Sequence, residues 1–101
     1  MVQLLVISGT PADPGAFDRH YRDTHIPIAK TIPGVRSYTI SKGPVTALAG
    51  TAPYVVATLE FNSMADFQAA LASPQGQAAA ADLPNFASGG ATLLVYEPAA
   101  V

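Results

Sequence analysis

Tyr54-Val55-Val56-Ala57-Thr58-Leu59-Glu60-Phe61 is the stretch on which the fold turns. Its β-branched and aromatic side chains suit a pleated, half-buried strand. On its C-terminal side, Asn62 or Ser63 supplies a helix cap, with Asp66 three residues after Ser63 as a short stand-in for the glutamate of a capping box. The helix that follows runs through Ala65, Phe67, Ala70 and Leu71. Ser73-Pro74 restarts a helical segment from Gln75 to Leu83, because proline fits the first turn of a helix, and Pro84 stops it. The alanine run from Ala78 to Ala81 is simply strong helix former. Gly89-Gly90 then frees the chain to enter a last strand, Ala91 to Glu97.

On its N-terminal side, Val45 to Pro53 has small residues and no period, and reads as a connection. Before it, Val35 to Lys42 alternates as a strand, with Arg36, Tyr38, Ile40 and Lys42 on one face, and ends at Gly43-Pro44. Asp13-Pro14 gives an N-cap followed by proline, the preferred order for starting a helix. Along that helix Phe17, Tyr21, Thr24, His25 and Ile28 share one face. Asp18 with Arg22 and Arg19 with Asp23 are spaced to pair on the solvent side. Pro27 lacks the donor that would reach the Asp23 carbonyl, so the helix kinks or restarts there before Pro33-Gly34 ends it. Val2 to Ile7 is an apolar, β-branched run and supplies the first strand.

The order βαββαβ defines an α+β fold, a ferredoxin-like sandwich with both helices on one side of a four-stranded antiparallel sheet. Residues 1–101 are expected to form a single domain. The other sheet face is left bare and is expected to carry residues such as Leu5, Ile7, Val35, Tyr54, Val56, Leu94 and Tyr96, while the pattern does not fix which face of the first strand turns inward. Monomers rarely expose so contiguous an apolar patch. Two copies packed sheet to sheet about a twofold axis would bury on the order of 800 Å² each, giving a homodimer with the architecture of a dimeric α+β barrel.

The composition narrows the function. Only 12% of residues are charged and the net charge is −2, with no basic patch to neutralise phosphates, so nucleic acid is not an expected partner. No stretch approaches the roughly 20 apolar residues that span a bilayer, and the N-terminal run lacks the basic flank of a signal peptide. The expected location is the cytoplasm. The absence of cysteine removes disulfides, thiolate nucleophiles and cysteine-ligated metals. No Gly-x-Ser-x-Gly elbow surrounds Ser8, and Gly89-Gly90 lacks the spacing of a dinucleotide loop.

The run Phe17-Asp18-Arg19-His20-Tyr21-Arg22-Asp23-Thr24-His25-Ile26-Pro27-Ile28-Ala29-Lys30, followed by Ile32-Pro33-Gly34-Val35, resembles the EthD-like family of dimeric α+β barrel proteins. Its hallmark is Tyr-x3-His-x-Pro and then Pro-Gly. The stretches Phe61-Asn62-Ser63, Ser73-Pro74-Gln75-Gly76-Gln77 and Ala81-Asp82-Leu83-Pro84-Asn85-Phe86 are similar to it as well, so the resemblance covers nearly the whole chain. It implies a pocket between the helices and the sheet of each subunit. Members carry a reductase label or an association with ether breakdown, and relatives in the superfamily include lactone isomerases, polyketide cyclases, decarboxylases and oxygenases.

His25 is the leading candidate in such a pocket, because its unperturbed pKa lies nearest neutrality. Tyr21 lies one turn earlier, and Tyr21 or Tyr38 is placed to donate to a substrate oxygen. Set against this, His25 also fits a buried histidine satisfied by a backbone carbonyl, and both tyrosines fit core packing. Phe17, Ile40, Phe67 and Phe86 are the expected apolar walls. Asp82 is open between a second polar group at the pocket and a solvated helix end. His20 and His25 stand about 140° apart around an α-helix, unlike the same-face pair of a zinc site, which argues against a metal. The resulting expectation is a small cofactor-independent enzyme, an isomerase, cyclase, decarboxylase or oxidoreductase. It would act on a small apolar oxygenated molecule such as a lactone, phenol or polyketide fragment by histidine-centred acid–base chemistry. The alternative is a carrier that holds such a molecule unchanged.

Overall fold

The computed structural model describes residues 1–101. Its elements are β1 (Val2–Ser8), α1 (Pro14–His20), a π-helical turn (Tyr21–His25), α2 (Ile26–Ala29), β2 (Ser37–Ile40), β3 (Val55–Phe61), α3 (Met64–Ala72), α4 (Pro74–Asp82), a 3₁₀ turn (Leu83–Asn85) and β4 (Ala91–Tyr96). The four strands form one antiparallel sheet in the order β2-β3-β1-β4, the ferredoxin-like arrangement.

Strand alternation sorts the side chains by face. Val2 and Leu4 of β1 and Val55, Ala57, Leu59 and Phe61 of β3 face the helices, where Val2, Ala57, Leu59 and Phe61 close a core with Phe67 and Ala70 of α3. The β2 partners Tyr38↔Leu59 and Ile40↔Ala57 therefore face the helices too. The opposite face carries Leu5, Ile7, Val56, Leu94 and Tyr96, with the Tyr96 hydroxyl donating to Gln3 at 2.6 Å. Two residues expected on that face are not there. Val35 packs against the core cluster, and Tyr54 sits edge-on to Phe17 at 5.0 Å between ring centroids. Both lie just outside their strands, where the turns that begin or end pairing abolish the alternation. β2 is correspondingly shorter than its sequence pattern, although Arg36 N–H and Ser41 N–H still donate to β3 carbonyls.

The caps form as the sequence implies. Asp13 accepts from Ala16 N–H, Ser63 from Asp66 N–H, and Ser73 from Gly76 N–H. Ser73 also donates its hydroxyl to the Ala70 carbonyl, so one side chain ends α3 and begins α4. The close approach of these helices makes Gly76 obligatory: a Cβ there would stand 2.0 Å from the Ala70 oxygen.

The main departure is in the first helical segment. Pro27 cannot donate, and its ring excludes the carbonyl one α-turn back. Rather than kinking at Pro27, the helix widens one turn earlier, with Ile26 N–H donating to the Tyr21 carbonyl five residues back. The buried side chains consequently recur every four residues, Phe17, Tyr21, His25 and Ala29, while Thr24 is exposed. The expected Asp18–Arg22 and Arg19–Asp23 pairs do not form; the close histidine–carboxylate contacts join His20 and His25 to Asp82. Asp18 instead accepts the Tyr54 hydroxyl at 2.8 Å.

Candidate functional site

Widening the helix has a chemical result. Five residues at the α-helical pitch separate two side chains by about 140°, but a π-helical turn closes its hydrogen bond across five residues and returns them to one side. His20 and His25 flank this turn and both reach Asp82 at the end of α4. His25 Nδ1 lies 2.9 Å from Asp82 Oδ2, and His20 Nε2 lies 2.9 and 3.0 Å from the two carboxylate oxygens. Asn85 Nδ2 donates to Oδ1 at 3.1 Å from the 3₁₀ turn that Pro84 imposes. Asp82 is thus a buried acceptor for three side chains and not a solvated helix end.

The charges follow from these contacts. Burial pushes the Asp82 carboxyl up, but the bonds from Asn85, His20 and His25 outweigh it and hold its pKa below the ordinary value. An ionised carboxylate only accepts, so the His25 nitrogen facing it carries the hydrogen. Burial holds the His25 pKa below its ordinary value, against the pull of Asp82 in the other direction. Neutral His25 is therefore fixed as the Nδ1–H tautomer, with the Nε2 lone pair free. Nε2 has no protein partner, yet no fully buried side-chain nitrogen or oxygen is left unpaired, so this atom borders open space.

A cavity of about 70 Å³ lies between the helices and the sheet, with His25 in its lining. Eighteen of its 21 lining residues are hydrophobic. Leu4, Val6, Phe67 and Phe86 wall it, and His25, Ser8, Tyr21 and Tyr38 bring polar atoms to it. Phe86 packs against the His25 ring at 4.7 Å and Tyr21 stacks on it at 5.6 Å, with Tyr21 and Phe86 themselves 5.7 Å apart. The Tyr21 and Tyr38 hydroxyls are 3.0 Å apart. Burial raises the pKa of both, Tyr21 far above the ordinary value with help from Tyr38, so both stay protonated near neutrality. Two hydroxyls sharing one hydrogen bond leave one O–H to donate elsewhere.

Of the residues singled out in the sequence, His25, Tyr21, Tyr38, Phe67 and Phe86 line this cavity. Asp82 stands behind His25, gripping it from outside the lining. Phe17 and Ile40 belong to a separate cleft on the outer side of Tyr21. His20 and Asn85 were missed. The signal for His20 was two histidines five apart with a proline two residues further on, which reads as divergent only if the helix keeps its α pitch. No group of three His, Asp or Glu side chains is arranged to hold a metal ion, and each of the two histidines spends one ring nitrogen on Asp82.

The fold places the chain among small ferredoxin-like proteins. One such structure, a dimeric ferredoxin-like protein of unknown function from Thermobifida fusca, is 13% identical with a TM-score of 0.68 over 94% of this chain and 88% of its own. A cofactor-independent oxygenase from Streptomyces nogalater, SnoaB, is 16% identical with a TM-score of 0.69 over 99% and 94%. An ethyl tert-butyl ether D (EthD) family protein of Bacillus halodurans matches with a TM-score of 0.88 at 28% identity, over 98% of this chain and 99% of that one. At the sequence level, an uncharacterised 11.0 kDa protein from the thcB–thcC intergenic region of Rhodococcus erythropolis is 45% identical over 96 residues, 93% of this chain and 91% of its own. The sequence profile of the EthD domain matches residues 10–90. This chain belongs to the EthD family.

Proposed function

We propose that the chain is a cofactor-independent acid–base catalyst acting on a small apolar oxygenated molecule of the lactone, phenol or polyketide-fragment class. The observation that carries this reading is that His25, in the lining of an apolar cavity, has an unpartnered Nε2 while Asp82 holds Nδ1–H. In the proposed step Nε2 takes a proton from an acidic C–H or O–H of the substrate. Asp82, already ionised, stabilises the imidazolium that results. The free hydroxyl hydrogen of the Tyr21–Tyr38 pair donates to the oxygen where negative charge grows, in a site whose apolar walls strengthen that interaction. The proton then returns from Nε2 to another substrate atom, or leaves with product.

The working unit in this proposal is a homodimer through the bare sheet face. The half-buried Leu5, Ile7 and Val56 and the exposed Leu94 and Tyr96 on that face support it, as does the dimeric description of the Thermobifida fusca neighbour.

The test is solvent-deuterium exchange into the acidic C–H positions of a panel of small lactones and ketones, followed by NMR. The wild type should accelerate exchange for at least one member, and His25→Asn should remove about 10²- to 10⁴-fold of that rate. Panel members that bind in the cavity yet exchange no faster than in buffer would replace this reading with that of a carrier.

A further inference from the structure

The cavity beside His25, at about 70 Å³, accepts the reacting end of a molecule and little more; sites that enclose whole ligands run to roughly 300–1,000 Å³. A second hollow of about 560 Å³ lies between the first helical segment and the β2–β3 connection. Tyr21 and Val55 line both hollows, so these two side chains are the partition between them. The outer hollow is walled by Phe17, Ile26, Ile40 and Tyr54. It also holds one cation, Arg22, and one carboxylate, Asp18. α-Helical spacing would set Asp18 against Arg22, but Asp18 Oδ1 accepts the Tyr54 hydroxyl at 2.8 Å and Arg22 forms no ion pair.

We propose that the two hollows are halves of one substrate site, and that the substrate is a monocarboxylate with an apolar body and an oxygenated tip. The tip passes Tyr21 to reach His25, the aromatic or alkyl body lies on Phe17, Ile26 and Ile40, and the carboxylate meets the Arg22 guanidinium at the far end. This rests on the reading of the inner cavity as the reacting end. Arg22 is a specificity residue here: it selects by charge and takes no part in the proton transfer.

Methyl and imidazole NMR titrations with para-hydroxyphenylalkanoates of increasing chain length, each paired with its primary amide, test the assignment. The acids should shift the methyl resonances of Ile26 and Ile40 together with the His25 ring, and should bind more tightly than the amides at low salt. Arg22→Gln should weaken the acids about fivefold and leave the amides unchanged, and added salt should erode the same difference. Equal binding of acids and amides at every chain length overturns the proposal. So do shifts at Leu71 and Leu93, on the other side of the inner cavity, without shifts at Ile26 and Ile40. The catalytic reading is separable: if His25→Asn left deuterium exchange unchanged while the acids still bound through Arg22, the inner site would fall and the outer one would stand.

Discussion

His25 is held in one tautomer and largely uncharged, and that combination has measurable consequences. Replacing Asp82 with alanine strands the Nδ1–H of His25 in buried surroundings and leaves the part-exposed His20 ring nitrogen to water. The stranded group costs about 1–3 kcal/mol, so Asp82→Ala should lower the urea midpoint clearly, and it should lower turnover because His25 loses its fixed tautomer. The pH dependence has a definite sign. The folded His25 pKa lies below the ordinary 6.5, so the unfolded chain takes up the proton first. Its contribution to stability is complete above about pH 6.5 and is lost as pH falls toward the lowered folded value. Asp82, also lowered from its ordinary value of 3.8, adds a second loss in stronger acid. Urea unfolding across that range should show a plateau near neutrality and a decline on the acid side in two stages. If His25 is the base, the acid limb of kcat/KM should likewise fall below pH 6.5. The residue types at the site were legible in the sequence, and so was the prominence of His25. What could not be read was that Asp82, 57 positions away, is its partner, because its place after an alanine run resembles an ordinary helix end.

Element boundaries followed from local chemistry wherever capping residues and prolines set them, as at Asp13, Ser63 and Ser73. They failed where one element is bent by another rule. The π-helical turn depends on Pro27 acting on the turn before it, and a hydrophobic pattern counted at 3.6 residues per turn assigns Thr24 to the buried face and separates the histidines. Gly76 is a second case. Within a helix, alanine should be worth about 1 kcal/mol more than glycine, yet the close contact with the Ala70 carbonyl forbids a side chain. Gly76→Ala should therefore destabilise by about 1–3 kcal/mol by forcing α4 away from α3, with far-UV helicity little changed. A rise in thermal midpoint for that variant would show that the helices can separate without loss.

The whole sheet was readable because its strand order follows from the order of elements and the cost of leaving backbone unpaired. The face of β1 that turns inward was not, since Leu4 and Leu5 are equally apolar and only the pairing with β3 distinguishes them. At this scale the prediction concerns assembly. Leu94→Glu, at a half-exposed position on the bare face, should convert a homodimer into a monomer in sedimentation experiments without changing secondary structure. A wild type that sediments as a monomer at all concentrations would remove the homodimer from the functional proposal. The strand that carries Leu94 has a further consequence. β4 is an edge strand, and its residues Ala91–Tyr96 are all exposed in the single chain, with no charge or proline among them. Such an edge is a template for indiscriminate pairing with other chains. The next residues, Glu97 and Pro98, are the two kinds that interrupt it, a charge and a residue unable to donate. Self-association during synthesis and dilution is thus expected to depend on one short strand, and on the two gatekeepers that close it.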